Sequence, residues 1–165
     1  MSEFIIDIPA GAWDYDPTNY PEWEKDSGAN GEMIRDMFDD TTEEYLIGQI
    51  QAPPDLDTDG TVYFEAYGYA VTADGNEVQL CFYHSAKEKG ESWDAAYTAE
   101  KSGDYVTDAN QDELDFIEWN ETITNLGWAA SDHIRVKLSR CAVDDGTTVV
   151  GDYGVTHFRI RIPIA

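Results

Sequence analysis

From residue 33 onward, apolar and polar residues exchange places at every second position. In TVYFEAYGYAVT, Val62, Phe64, Ala66, Gly68 and Ala70 stand against Tyr63, Glu65, Tyr67, Tyr69 and Val71. EVQLCFYHS puts Val78, Leu80 and Phe82 in one phase. DHIRVKLSRCAV sets Ile134, Val136 and Leu138 against Arg135, Lys137 and Ser139, and THFRIRIPIA sets Phe158, Ile160 and Ile162 against Arg159 and Arg161. A period of two sends successive side chains to opposite faces of a sheet, so each stretch predicts a strand with one dry and one wet face. EMIRDMFDD adds Met33, Ile34, Met37 and Phe38. TEEYLIGQIQAP ends at Pro53 and Pro54, which cannot donate to a ladder. In LDFIEWNETI, Leu114 and Phe116 lie out of phase with Ile117 and Trp119. The ADGN segment, residues 73–76, predicts a hairpin turn between its flanking strands.

One stretch breaks the pattern. ESWDAAYTAEK, residues 91–101, has Trp93, Ala96 and Tyr97 at helical spacing behind Ser92 as a cap, and predicts one or two helical turns. The sum is roughly seven to nine strands and almost no helix. Strands with one wet face each are served by two sheets packed face to face. The expected fold is all-β: an antiparallel β-sandwich of the jelly-roll kind.

Residues 1–32 read differently. Phe4, Ile6 and Ile8 alternate briefly, and GAWDYDPTNYPEWEKDSGANGE then mixes chain breakers with four aromatics. The expectation is an extended N-terminal arm over 1–32 and a sandwich domain over 33–165. The arm would lie on a surface, its own domain's or a neighbour's, through Trp13, Tyr15, Tyr20 and Trp23.

Charge narrows the partners. The chain carries 34 acidic and 10 basic residues, a formal net charge of -24. Such a field repels a phosphate backbone, which excludes nucleic acid as a direct partner. It also opposes self-association at low salt, so an oligomer needs a substantial apolar or cation-bridged interface. No run approaches the roughly 18 apolar residues of a membrane span. MSEFIIDIPAG has neither a basic region nor a long apolar core, so it does not read as a secretory signal, and synthesis in the cytoplasm is expected.

Candidate chemistry is sparse. His84, His133 and His157 fall in or beside predicted strands, and no nucleophile elbow, P-loop, zinc-protease or dinucleotide motif occurs. Paired carboxylates carry no weight in so acidic a chain. The expectation is a non-enzyme with no cofactor and no metal. Cys81 and Cys141 lie in separate strands; one disulfide is possible, and two buried thiols are the expectation. DLDTDG, residues 55–60, opens like an EF-hand loop, but the twelfth position is Ala66 and the glutamate comes one place early, at Glu65. That loop, with DDTTEE (39–44) and VDDG (143–146), reads as strand-connecting turns, since Asp bonds local amides and Gly accepts positive φ. Tyr63, Tyr67 and Tyr69 share the strand face opposite Phe64; a wet face there would offer a sugar-stacking platform, a covered one would make them packing residues.

Six segments in order complete the picture: IPAGAW (8–13), FDDTTEE (38–44), PPDLDTDGTVYFEAY (53–67), SWDAAYTAE (92–100), DHIRVKLSR (132–140) and HFRIRIPI (157–164). This order resembles the small jelly-roll virion proteins of tailed bacteriophages, found as capsid decoration proteins or in head and tail fibres. The resemblance implies a non-enzymatic structural protein on the outer capsid surface of the virion. It would stabilise the shell, with the major capsid protein as partner and a homo-oligomer, a trimer first, as its form. Trp13, Tyr15, Tyr20 and Trp23 would then anchor the arm on a neighbour. The segment between Pro9 and Met33 is more acidic and aromatic than the group's pattern. The alternative is a fibre or spike component binding host glycans, or a carbohydrate-binding module, with Tyr63, Tyr67 and Tyr69 as the sugar contacts.

Overall fold

The computed structural model describes residues 2–28, 31–72, 75–92, 94–107, 113–142 and 148–165, with side chains described for all of these except 26–28 and 31–33. In chain order the elements are β1 (Ser2–Pro9), β2 (Asp14–Tyr15), β3 (Glu22–Gly28), β4 (Gly31–Phe38), β5 (Leu46–Gln51), β6 (Thr61–Ala70) and β7 (Glu77–Lys87). They continue with β8 (Thr98–Lys101), β9 (Tyr105–Val106), β10 (Asp115–Thr122), a single helical turn α1 (Ile123–Leu126), β11 (His133–Cys141) and β12 (Tyr153–Ile164). They form the two antiparallel sheets that the alternation predicts. The first runs β10-β6-β12-β4-β3 with β1 also on β12; the second runs β2-β5-β11-β7-β8 with β9 also on β7.

The alternation decides what lies between the sheets. Val62, Phe64 and Ala66 of β6 and Phe158, Ile160 and Ile162 of β12 face Leu80 and Phe82 of β7 and Ile134, Val136 and Leu138 of β11. Phe64 and Phe82 meet across the gap with ring centroids 4.6 Å apart, Trp119 stacks on Phe64 at 5.4 Å, and Phe158 lies 5.7 Å from Phe82. Gly68 leaves room for the buried Tyr153, whose ring would sit 2.7 Å from an added Cβ.

β12 is the spine of the first sheet. Along one edge it pairs with β6. Along the other, Tyr153–Val155 pair with β4 and His157–Ile164 pair with β1. A register shift between Val155 and His157 sits where the edge passes from one neighbour to the next.

The N-terminal segment is not an arm. β1 lies along β12, β2 adds to β5, and β3 pairs with β4, so residues 2–28 contribute strands to both sheets. Trp13 crosses the seam between the sheets and is 5% exposed. Its ring lies 5.8 Å from Phe158 and rests on Gly48, where an added Cβ would come within 3.2 Å of it. The aromatic-rich, breaker-rich stretch reads as a surface strap because its strands are short, and β12, β5 and β4 are the partners that make them sheet strands.

Other expectations also shift. β6 and β7 lie in different sheets and so do not pair as the expected hairpin; Ala73 and Asp74 of the ADGN turn lie outside the described residues. The 91–101 stretch forms no helix among its described residues: Thr98–Lys101 pair with β7, and Trp93 is outside them. The helical turn falls instead at Ile123–Leu126, capped by the Thr122 hydroxyl and ended by Gly127 at φ 64°. In β10 the inward phase is Ile117 and Trp119, while Phe116 and Leu114 are exposed. VDDG, residues 143–146, lies outside the described residues.

The two cysteines are not free thiols. The register sets Ser139 opposite Cys81 and Cys141 opposite Gln79, so the cysteines are diagonal neighbours on the outward face and are joined in a disulfide, Cα–Cα 5.9 Å. The bridge spans 60 residues of sequence. Loop-closure entropy on that span amounts to roughly 4 kcal/mol. Reduction, or a Cys81→Ser/Cys141→Ser double variant, should lower the midpoint of denaturant unfolding without changing the far-ultraviolet spectrum. An unchanged midpoint would show that the bridge contributes nothing to stability.

His84 gives a pH test. It is 3% exposed, and Trp128 Nε1–H donates to its Nδ1 at 3.2 Å. That bond requires an unprotonated Nδ1, and burial brings the imidazole down from 6.5 to about 4, so the ring is neutral despite Glu100 at 3.5 Å. The unfolded chain therefore takes up a proton between pH 6.5 and 4 that the native state refuses. Stability from this group is complete above pH 6.5 and is lost as the pH falls toward 4, by about 3 kcal/mol. A His84→Gln variant should be less stable at pH 7 and show a flatter decline over that window. Equal slopes in the two unfolding series would reject the assignment.

Candidate functional site

The sandwich has two outward faces, and they differ in what covers their aromatics. On the first sheet, Tyr63, Tyr67 and Tyr69 do share one outward face. Arg161 lies over the Tyr63 ring at 4.4 Å. It also bonds Glu65 at 2.5 Å, Glu3 at 3.0 Å and Glu118 at 3.0 Å. Arg159 bonds Asp7 at 2.6 Å and reaches Glu65 at 3.4 Å, and His157 lies 2.9 Å from the same Asp7 oxygen. The hydrogen bond from Arg159 leads the effects that hold the Asp7 carboxyl below its ordinary range. Tyr69 is 2% exposed, its hydroxyl accepting from Arg35 at 2.6 Å. Tyr67 stands between Phe116 at 4.9 Å and His157 at 5.8 Å. These tyrosines pack under an ion-pair lattice, and a sugar has no open ring face of Tyr63 or Tyr69 to rest on from the cation side.

The second sheet presents Tyr45, Tyr83 and Tyr97. The turn 38–44 aims the group that organises them. Asp39 Oδ1 accepts from the amides of Thr41 at 2.6 Å and Thr42 at 3.0 Å, and Glu44 Oε2 accepts from the Asp39 amide at 2.9 Å. That local bonding is what the FDDTTEE segment encodes, and it points Glu43 across the sheet. Glu43 Oε1 accepts from the Tyr83 hydroxyl at 2.6 Å and from Ser139 Oγ at 3.2 Å, and Glu43 is also hydrogen-bonded to Tyr45. Burial first, and then this carboxylate, push the Tyr83 hydroxyl up to about 12 and raise Tyr45 as well. Both stay neutral donors at ordinary pH.

β11 supplies the cations. Its outward phase places Arg135 and Lys137 beside these rings. Lys137 Nζ lies 4.6 Å from the Tyr45 centroid and 5.0 Å from that of Tyr97, with Asp16 at 4.0 Å. Arg135 Cζ lies 4.8 Å from the Tyr97 centroid, and its Nη2 donates to the Ala95 carbonyl at 2.8 Å. Two grooves flank the cluster. One of about 510 Å³ is lined by the disulfide, Tyr83, Ala99, Lys101 and the 39–43 turn. Another of about 380 Å³ is lined by Lys87, Lys89, Glu91, Ser131 and His133. β7 runs from the first groove to the second, from Cys81 to Lys87, a track of roughly 20 Å at strand rise.

Three predicted arm residues meet elsewhere. Tyr15, Tyr20 and Trp23, with Pro21, line an apolar pocket of about 270 Å³, with Tyr20 51% and Trp23 50% exposed. Trp13 is not among them. The DLDTDG loop is a turn tied to the end of the chain: Asp57 Oδ1 accepts from the Asp59 amide, the Asp57 amide donates to Pro163, and Ala165 donates to Asp55. Among the described residues, the carboxylates that do converge are Asp39, Asp40 and Asp152, within 4.8 Å of one another. Burial and its two acidic neighbours raise Asp152, while Asp40 accepts from the Gly151 amide at 2.8 Å.

No protein-family model matches the sequence, and no curated protein does. The match is to solved structures, and it is a match of fold. The CBM22-2 xylan-binding domain from Paenibacillus barcinonensis Xyn10C aligns over 97% of this chain and 99% of its own, with a TM-score of 0.58 and 12% identity. A xylan-binding module, CBM15, aligns over 99% of both chains, with a TM-score of 0.53 and 11% identity. The isomalto-dextranase of Arthrobacter globiformis T6, complexed with panose, matches 94% of this chain with 23% of its own, at a TM-score of 0.53 and 9% identity. At these identities the likeness fixes the two-sheet sandwich and no residue role.

Sequence alone held part of this site. Tyr83, Arg135 and Lys137 stand in the outward phase of their strands, but Tyr45 and Tyr97 lie just before strands, where period two says nothing. Replacing Glu43 by Gln should bring the Tyr83 and Tyr45 midpoints down toward 10 without restoring them fully, because burial is the larger cause. Alkaline titration followed by NMR of ring-labelled tyrosine reads both. Midpoints unmoved from wild type would mean that Glu43 does not organise the cluster.

Proposed function

We propose that the chain is a non-catalytic carbohydrate-binding module that holds a β-linked polysaccharide of the xylan type along the outward face of the second sheet. The observation that carries this reading is the fixed cluster of Tyr45, Tyr83 and Tyr97 around Lys137, between two grooves on one strand track. A sugar offers C–H faces to aromatic rings and hydroxyls to polar edges, and tyrosines held by hydrogen bonds supply both at little entropic cost. An open track with a groove at each end suits a chain more than a single sugar. The sandwich shared with the xylan-binding modules supports the ligand class.

The face first expected to meet sugar, with Tyr63, Tyr67 and Tyr69, is roofed by Arg35, Arg159 and Arg161 and their carboxylates. Binding through an arm, as a capsid decoration protein would use it, loses its device, because residues 2–28 are sheet strands and Trp13 is core.

Calorimetry with linear xylo-oligosaccharides tests the reading. Binding should strengthen with oligosaccharide length up to the span of the track, and Tyr83→Ala should weaken it roughly tenfold or more. Tyr63→Ala, on the other face, should leave it within error of wild type. No binding to xylo-oligosaccharides, or equal loss from both variants, would sink the assignment.

A further inference from the structure

β1 is an outer strand with a long, mostly apolar free edge. Among the described residues it pairs with β12 alone, in unbroken register from Ser2 opposite Ile164 to Pro9 opposite His157. An edge strand displays unpaired amides and carbonyls, and proteins blunt such edges by keeping them short or charged. The other strands that end a sheet follow that rule. β2 has two residues and β8 four, β3 carries Glu22 and Glu24, and β10 carries Glu118 and Glu121. β1 runs for eight residues as SEFIIDIP. Phe4 is 43% exposed and Ile5 49%, one on each face of the strand.

The backbone phase identifies what the edge offers. Just past Pro9, the Ala10 amide donates to the Thr156 carbonyl. In an antiparallel ladder alternate residues bond the neighbour, so Ile8, Ile6 and Phe4 turn their backbone groups to β12, and Asp7, Ile5 and Glu3 turn theirs outward. Pro9, with no amide to offer, falls in the outward phase. The acids of the strand are already engaged: Glu3 bonds Arg161 at 3.0 Å, and Asp7 bonds Arg159 at 2.6 Å with His157 at 2.9 Å. In a chain of net charge -24, this edge can approach another copy without setting uncompensated carboxylates face to face.

We infer that two copies of the chain associate through β1, edge to edge and antiparallel, joining their first sheets about a two-fold axis. An antiparallel strand edge is self-complementary, because a half-turn maps its outward backbone groups onto matching ones. Phe4, Ile5, Ile6 and Ile8 of the two copies then pack side by side across the new ladder. A basic partner fits this edge less well, since the acids that would attract it are taken by Arg159 and Arg161. The contact closes at two copies, not at the trimer expected with a capsid role. β1 belongs to the first sheet, so the second-sheet face stays open in both copies and the dimer does not depend on the carbohydrate-binding reading. One strand pair makes a small interface and the net charge opposes it, so the dimer is weak and is strengthened by salt.

Sedimentation equilibrium on the full chain, from about 10 µM to about 1 mM, should show monomer passing to dimer, with the dissociation constant falling roughly tenfold between about 0.15 M and about 1 M salt. Hydrogen exchange locates the contact. The Ile5 and Asp7 amides should slow as concentration rises, while those of Ile6 and Ile8 should be protected throughout. Ile5→Pro removes an amide that faces the free edge, a position where a sheet tolerates proline, and should abolish the dimer while the monomer stays folded. Ile5→Glu sets like charges near the two-fold and should weaken the dimer roughly tenfold or more, which carries the test if proline unfolds the chain. Leu114→Glu is the control: Leu114 is 62% exposed and lies across β6 and β12 from β1, and its variant should dimerise like wild type. A chain that stays monomeric over this range, a dimer unweakened in Ile5→Glu, or protection that grows away from β1 overturns the inference. Species larger than a dimer overturn the two-fold contact.

Discussion

Phe64, Phe82 and Phe158 meet between the two sheets, and the rest of the molecule is arranged so that they can. Each comes from a strand whose alternate residues must then face water, so this one contact sets the inside and outside of β6, β7 and β12 at once. Trp119 and Trp13 extend the contact to the edges of the gap, from β10 and from the segment between β1 and β2. The outward faces inherit whatever residues the inner phase leaves over. That is why Tyr63, Tyr67 and Tyr69 fall on one surface and Tyr83 on the other.

The acidity of the chain makes the two surfaces unlike. Ten cations cannot neutralise 34 acids, so where they are placed decides which surface is held together by ion pairs. On the first sheet, Glu65 is buried in the centre of β6 and draws Arg159 and Arg161 onto it from β12. Removing a partner from such a buried carboxylate leaves an uncompensated charge, which is costly. That lattice is therefore a clamp between neighbouring strands, and it covers the Tyr63 ring as a consequence. The second sheet has no carboxylate in the middle of β7 or β11; its outward residues there are Tyr83, Ser85, Arg135 and Lys137. Arg135 lies against the Tyr97 ring there, and Lys137 against the Tyr45 and Tyr97 rings with Asp16 beside it.

Much of the sandwich was legible because period two survives in every long strand. The two-sheet fold, the inward phase of β6, β11 and β12, and the common face of Tyr63, Tyr67 and Tyr69 all follow from it. What failed depends on distant pairing. Nothing local says that β1 will lie on β12, at the other end of the chain, so Phe4, Ile6 and Ile8 looked like the start of an arm. Nothing local says that β6 and β7 part company into different sheets, so ADGN looked like a hairpin. The cysteine pairing needed the β7–β11 register, which spacing does not contain. Burial of Trp13 depended on Gly48, a gap in another strand. The site was half legible for the same reason: Arg135, Lys137 and Tyr83 carry the right phase, but Tyr45 and Tyr97 reach the cluster from irregular segments.

The integration of residues 2–28 bears on function as well as on fold. A strap of aromatics free to swing would give adaptable contacts and cost ordering entropy on binding. Here β2 is pinned to β5 and Asp16 accepts from the amides of Thr18 and Asn19, which holds the carboxylate of Asp16 beside Lys137. Those two backbone bonds are the leading causes of its lowered carboxyl, so Asp16 stays charged well below neutrality. The N-terminal segment thus fixes one wall of the tyrosine cluster, and the rigidity of that wall is set by β12 and β5 acting through it. The Tyr45 side of the cluster is thereby tied to the N-terminal strands as well as to β5 and β11.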